Sequence, residues 1–151
     1  MLLAVSKDAP VVDSKKKDRN KLYAFPGYID WSNKSILIFE RDYCSTLLLK
    51  DLLESTNIRV IHVDKKAIME NFYDESIDLI IKGIDVDEIM TGLELTRKIR
   101  LRYPHIPIIA HSACCINMDD IHHCLDAGCD DFIAKPFEFD DLISSLMKYL
   151  M

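Results

Sequence analysis

From Lys34 onward the chain alternates short apolar runs with longer stretches whose apolar residues recur at helical spacing. The runs Ser35–Phe39, Arg59–Val63, Ile77–Lys82, Pro107–His111 and Asp131–Ala134 are rich in Ile, Val, Leu or Phe, which predicts five buried strands. Between them Leu48, Leu49, Leu52 and Leu53 mark one helix face, and Leu95 and Ile99 a second. Ile121, Cys124 and Leu125 mark a third, and Leu142, Ile143, Leu146 and Leu150 a fourth. Lys65 to Tyr73 supplies a weaker helical pattern after the second strand. Gly128 is placed as a left-handed helix stop, and Asp140 and Asp141 suit the first turn of the last helix. The order is (βα)5, which predicts an α/β sandwich of three layers around a parallel sheet. In such sheets ligands bind outside the carboxyl ends of the strands, so any chemistry is expected there.

The remainder of the 151 residues changes this picture little. Residues 1 to about 20 are polar, include Lys15-Lys16-Lys17-Asp18-Arg19, and have no periodic apolar face to offset the entropy of ordering. Leu22 to Trp31 differs, because aromatic and branched side chains around Pro26-Gly27 are costly to leave in water. That stretch is expected to pack on the domain or on a partner. The division is therefore a flexible tail or linker over 1–30 and one domain over 31–151.

Charge is uneven: residues 1–30 carry +2 and the remainder −8. An acidic body repels phosphate backbones and argues against nucleic-acid binding. No apolar stretch approaches the ~20 residues that span a bilayer, and the short apolar start precedes its basic cluster, against a secretory signal. The five cysteines, Cys44, Cys114, Cys115, Cys124 and Cys129, are odd in number and lack framework spacing, so reduced thiols and a cytoplasmic location are expected. His122, His123 and the neighbouring cysteines show no C-x-x-C or H-x3-H spacing, and no metal or cofactor is expected from them.

At the predicted strand ends stand Glu40-Arg41-Asp42, then Gly83-Ile84-Asp85, then Ser112-Ala113, then Lys135-Pro136-Phe137. The segments SILIFERD, DLIIKGID, PIIAHSA and DDFIAKPF, in that order over Trp31 to Met151, resemble the receiver domains of two-component response regulators, including those of hybrid histidine kinases. The resemblance implies a flavodoxin-like (βα)5 fold with strand order 2-1-3-4-5. In that family two acids after the first strand hold magnesium and an aspartate ending the third accepts a phosphoryl group. A hydroxyl after the fourth bonds the phosphate, and a lysine after the fifth pairs with it.

Carried across, Glu40 keeps the first acid, Arg41 replaces the second, Gly83 stands at the phospho-acceptor position, Ser112 keeps the hydroxyl and Lys135 the amine. The matched charges sum to about +1 instead of the family's about −2, which repels a divalent cation. Lys135 is then expected to pair with Glu40 or Asp85, and Arg41 to be either a solvated charge or a fixed cation beside Glu40. Phe132 matches the family's switch aromatic, with a plain core role favoured. The expectation is a pseudo-receiver, not an enzyme, that acts by binding a histidine kinase, another two-component protein or a second copy of itself. Its interaction surface would comprise Asp119–Ala127, Phe132–Ala134 and Glu138–Leu150. One alternative is a working receiver phosphorylated with magnesium on Asp85, although a carboxylate two residues past the strand end must bend back about 6 Å. Another is an anion or small-ligand sensor built on Arg41, Ser112 and Lys135.

Overall fold

The computed structural model describes residues 3–4, 29–64, 66–67, 70, 73–84, 89–112, 117–135 and 137–151. Among these, the elements run β1 (Leu3–Ala4), β2 (Ser35–Phe39), α1 (Tyr43–Glu54), β3 (Arg59–His62), β4 (Leu79–Ile84), α2 (Ile89–Arg102), β5 (Ile108–Ser112), α3 (Met118–Ala127), β6 (Asp131–Ala134) and α4 (Phe139–Leu150).

The sheet order is β1-β3-β2-β4-β5-β6. Its five parallel strands follow the 2-1-3-4-5 order of a flavodoxin-like domain. At one edge β1 adds a two-residue antiparallel strand, with Leu3 opposite His62, which the polar composition around it did not signal.

Alternation along the strands splits the core into two layers. Leu37, Phe39, Ile80, Ile84, Ile108 and Ala110 face α2 and α3, where they meet Leu95, Ile99, Cys124 and Ala127. Ile36, Ile38, Leu79, Ile81 and Ile109 face α1 and α4, where they meet Leu49, Leu53, Leu142, Ile143 and Leu146. Both faces are covered, which is why these strands read as continuous apolar runs. Trp31 closes the second layer from below, buried and anchored by its backbone N–H to the Thr56 carbonyl at 2.7 Å.

Two of the helix-face assignments need correction. Leu48 and Leu125 are exposed, because each lies about one residue's rotation beyond the stripe that meets the sheet. Strand limits shift as well: β4 continues through Gly83 to Ile84, and β5 through Ser112, because Gly83 pairs with His111 and Ile84 with Ser112 in the parallel ladder. Gly128 does end α3, at φ 120°, with its N–H on the carbonyls of Cys124 and Leu125. Asp140 and Asp141 lie in the first turn of α4, and Asp141 shares a capping box with Glu138. Most of Lys65 to Tyr73, and Leu22 to Tyr28, lie outside the described residues.

Candidate functional site

The parallel register lines up a row of residues at the carboxyl end of the sheet. Phe39 pairs with Lys82, so Glu40, one residue further, stands level with Gly83; Gly83 pairs with His111, and His111 with Ile133. Adjacent strands lie ~4.8 Å apart, so β2 and β5 are separated by roughly 10 Å with β4 between them. Two side chains on the same face span that gap only if the strand between them offers no side chain there.

Gly83 meets that condition. Above it His111 Nδ1 lies 3.2 Å from Glu40 Oε2, and both side chains are only 1% exposed. A Cβ added at position 83 would sit 2.6 Å from Glu40 Cδ and 2.7 Å from Oε1, inside any tolerable contact. The volume a side chain at 83 needs is thus filled by the Glu40 carboxylate.

Among the described residues, three donors hold that carboxylate. Oε1 accepts the Asp42 N–H at 3.1 Å, while Oε2 accepts both His111 and, at 3.3 Å, the Lys135 ammonium. His62 Nε2 lies 3.1 Å from the Glu40 carbonyl, so the end of β2 is pinned through main chain and side chain together. Burial by itself raises the Glu40 carboxyl, but the hydrogen bonds from His111 and Asp42 with the charge of Lys135 outweigh it and hold the group below its usual range. Burial lowers His111, opposed by its hydrogen bond to Glu40 and assisted by Lys135, and the net direction is downward. Glu40 is therefore ionised and His111 neutral near pH 7. Since a carboxylate only accepts, the imidazole proton resides on Nδ1. His111 Nε2 is then a buried acceptor with no hydrogen-bond partner among the described residues, and the ring stands edge-on to Phe137 at 4.9 Å between centroids.

The remaining expected residues are placed as follows. Arg41 is exposed, and Glu40 takes Lys135 as its ion-pair partner. Ser112 is fully buried, and its carbonyl accepts the Lys135 N–H at 2.7 Å, which ties the loop after β6 to the end of β5. Phe132 is half-buried and packs on the layer beneath α2 and α3. Asp85 lies outside the described residues.

Two residues were missed by sequence reasoning. His111 completes the row, and Lys82, buried on the opposite face, donates to the Gly83 carbonyl and sets its ammonium 4.6 Å from the Phe39 ring centroid. The signal available for both was a polar residue interrupting an apolar strand, in PIIAHSA and DLIIKGID. Burial pushes the Cys129 thiol up to about 12, and no group of three or more His, Cys, Asp or Glu able to hold a metal occurs among the described residues, which leave out Cys114 and Cys115.

Comparison with known proteins places these features in context. A family model for the response regulator receiver domain matches residues 36–147. The hybrid signal transduction histidine kinase L of Dictyostelium discoideum is 29% identical over 123 residues, covering 76% of this chain but only 7% of that protein. Among solved structures, a response regulator from Thermotoga maritima superposes with a TM-score of 0.68 at 27% identity, covering 78% of this chain and 98% of that one. The receiver domain of sensor histidine kinase PA1611 from Pseudomonas aeruginosa PAO1, whose active-site cleft coordinates a magnesium ion, gives 0.63 at 27% identity over 78% and 98%.

Proposed function

The chain belongs to the response regulator receiver domain family, and we propose that within two-component signalling it acts as a pseudo-receiver, accepting no phosphoryl group and working by binding another protein. The observation that carries this reading is the Glu40 carboxylate, which fills the volume above Gly83 where the family resemblance puts the acceptor side chain. The anion that Lys135 meets is thus supplied by the protein itself, and the pairing needs no phosphoryl transfer.

Among the described residues, those at the site do not fit a magnesium ion. That ion needs several free oxygen ligands in octahedral array. Both Glu40 oxygens accept hydrogen bonds from protein donors, and the Asp42 carboxylate accepts the N–H groups of Cys44 and Ser45 as the N-cap of α1.

With Glu40 tying β2, β5 and the loop after β6 together, the surface of α3, β6 and α4 is held in one arrangement. Its partner would be a histidine kinase or another two-component protein in the cytoplasm, or a second copy of the chain. The hybrid-kinase relative supports that class of partner. The test is intact mass after incubation with acetyl phosphate and magnesium. No mass gain is expected; a gain of one phosphoryl group, mapped to Asp85, establishes the working-receiver alternative instead.

A further inference from the structure

The two edges of the sheet are closed in different ways. At the β6 edge the N–H of Phe132, which points away from β5, is taken by the Asp131 carboxylate at 2.8 Å, and Lys148 pairs with that carboxylate at 3.6 Å. Fixed charge on an edge strand discourages a further strand from pairing there. At the β3 edge the closure is itself a strand: β1 runs antiparallel to β3, with Leu3 opposite His62 and Ala4 opposite Ile61. Among the described residues no other element pairs with that edge.

The main-chain directions show how little holds β1. The N–H groups of Arg59 and Val63 donate to the carbonyls of Lys34 and Ile38, at 3.0 and 3.1 Å, so Ile61 between them also faces β2. Val60 and His62 therefore turn their main-chain groups outward. Leu3 and His62 form a hydrogen-bonded pair, whereas Ala4 and Ile61 form a non-hydrogen-bonded one. Residues 5–34 lie between β1 and β2, so loop closure weighs against this short pairing, and β1 is the part of the sheet that opens first. His62 also reaches the candidate site, since its Nε2 lies 3.1 Å from the Glu40 carbonyl.

We infer that the outer edge of β3 is a docking surface for an extended segment of a partner protein, which adds antiparallel along Val60 to His62 and displaces β1. Recognition of this kind runs from main chain to main chain, so it asks for an extended, uncharged stretch rather than one sequence. The run Met1-Leu2-Leu3-Ala4-Val5 is an example of that chemistry. A segment that reaches Val60 as well as His62 forms two hydrogen-bonded pairs, where the described β1 forms one. A second copy's β1 makes only the pairing that the chain already makes, and the chain's own β1 is present at an effective concentration on the order of 1 mM. Exchange between copies therefore gains nothing. The edge is separate from the surface of α3, β6 and α4, and its use does not depend on phosphoryl chemistry above Gly83.

Amide exchange and an NMR titration of the isotope-labelled full chain test it. Leu3→Pro removes the donor that faces β3, so His62 is expected to exchange at least about tenfold faster while Ile61 and Val63 stay protected. Ala4→Pro, at an N–H that faces away, is expected to leave His62 unchanged. A thermal midpoint within about 2 °C of the parent shows that the domain is intact in both. A peptide of residues 1–8 is expected to shift the Val60 and His62 amides of the Leu3→Pro chain with half-saturation near ~1 mM, and to bind the parent chain at least about fivefold more weakly, because β1 competes. His62 exchange unmoved by Leu3→Pro, or raised equally by Ala4→Pro, overturns the inference. So does a peptide that binds both chains alike or shifts neither up to about 5 mM. A doubled mass of the parent chain in sedimentation equilibrium, lost in Leu3→Pro, overturns it in favour of a second copy. The phosphodonor assay reads the pseudo-receiver proposal separately, since a chain that binds no peptide and gains no phosphoryl group refutes the docking edge alone.

Discussion

Glu40 and His111, on strands that do not touch, meet at 3.2 Å across the bare backbone of Gly83. The glycine at this position does not serve a left-handed turn; it provides clearance for a buried hydrogen bond.

Gly83→Ala is therefore expected to destabilise the fold by about 1–3 kcal/mol, the usual range for forcing an extra carbon into a filled site. In a Glu40→Ala background the same change should cost far less, because the carboxylate it collides with is gone. A double-mutant cycle from urea unfolding measures this coupling, and additive costs would contradict the geometry.

Acid should weaken the fold in two stages. The folded chain holds His111 below its ordinary 6.5 and Glu40 below its ordinary 4.5. In each case the unfolded chain binds more protons in acid, so both contributions are present above the ordinary value and lost as pH falls. Stability should be level above about pH 6.5, decline below it through His111, and decline further below about 4.5 through Glu40. Urea midpoints from pH 8 to 4 check this, and His111→Phe should flatten the upper stage.

Arg100 joins the end of α2 to the start of β6. Its guanidinium donates to the carbonyls of Tyr103 at 3.0 Å, Ile106 at 2.7 Å and Gly128 at 2.6 Å, and pairs with Asp130 at 2.6 Å. Arg100→Ala should cost about 2–3 kcal/mol by leaving part-buried carbonyls unpaired. Arg100→Lys should recover less than half, since an ammonium cannot reproduce the planar fork. Unfolding midpoints report both.

Asn117 caps α3, accepting the Asp120 N–H at 2.9 Å while Asp120 accepts the Asn117 N–H in return. Asn117→Ala should cost about 1 kcal/mol, and hydrogen exchange should accelerate in the first turn of α3 ahead of the rest of the domain.

The fold was legible because its pattern is local. Each strand is a predominantly apolar run and each helix shows a periodic stripe, readable without knowing what lies opposite. Leu48 and Leu125 were misread because periodicity locates a stripe but not its width; that depends on how closely the sheet approaches. The candidate site was legible only in part. Glu40, Gly83, Ser112 and Lys135 stand in motifs recognisable by resemblance, whereas His111 and Lys82 sit inside strands where sequence reading expects apolar residues.

What the sequence determined by itself was the order of elements, the side chains available at the carboxyl end of the sheet, and the presence of glycine at position 83. What only the tertiary structure decided was which of those side chains occupies the space above that glycine. The reason is register: Glu40 and His111 are 71 residues apart, and their meeting depends on three strands aligning within one residue. A slip of one residue in any of them would turn the side chain to the opposite face.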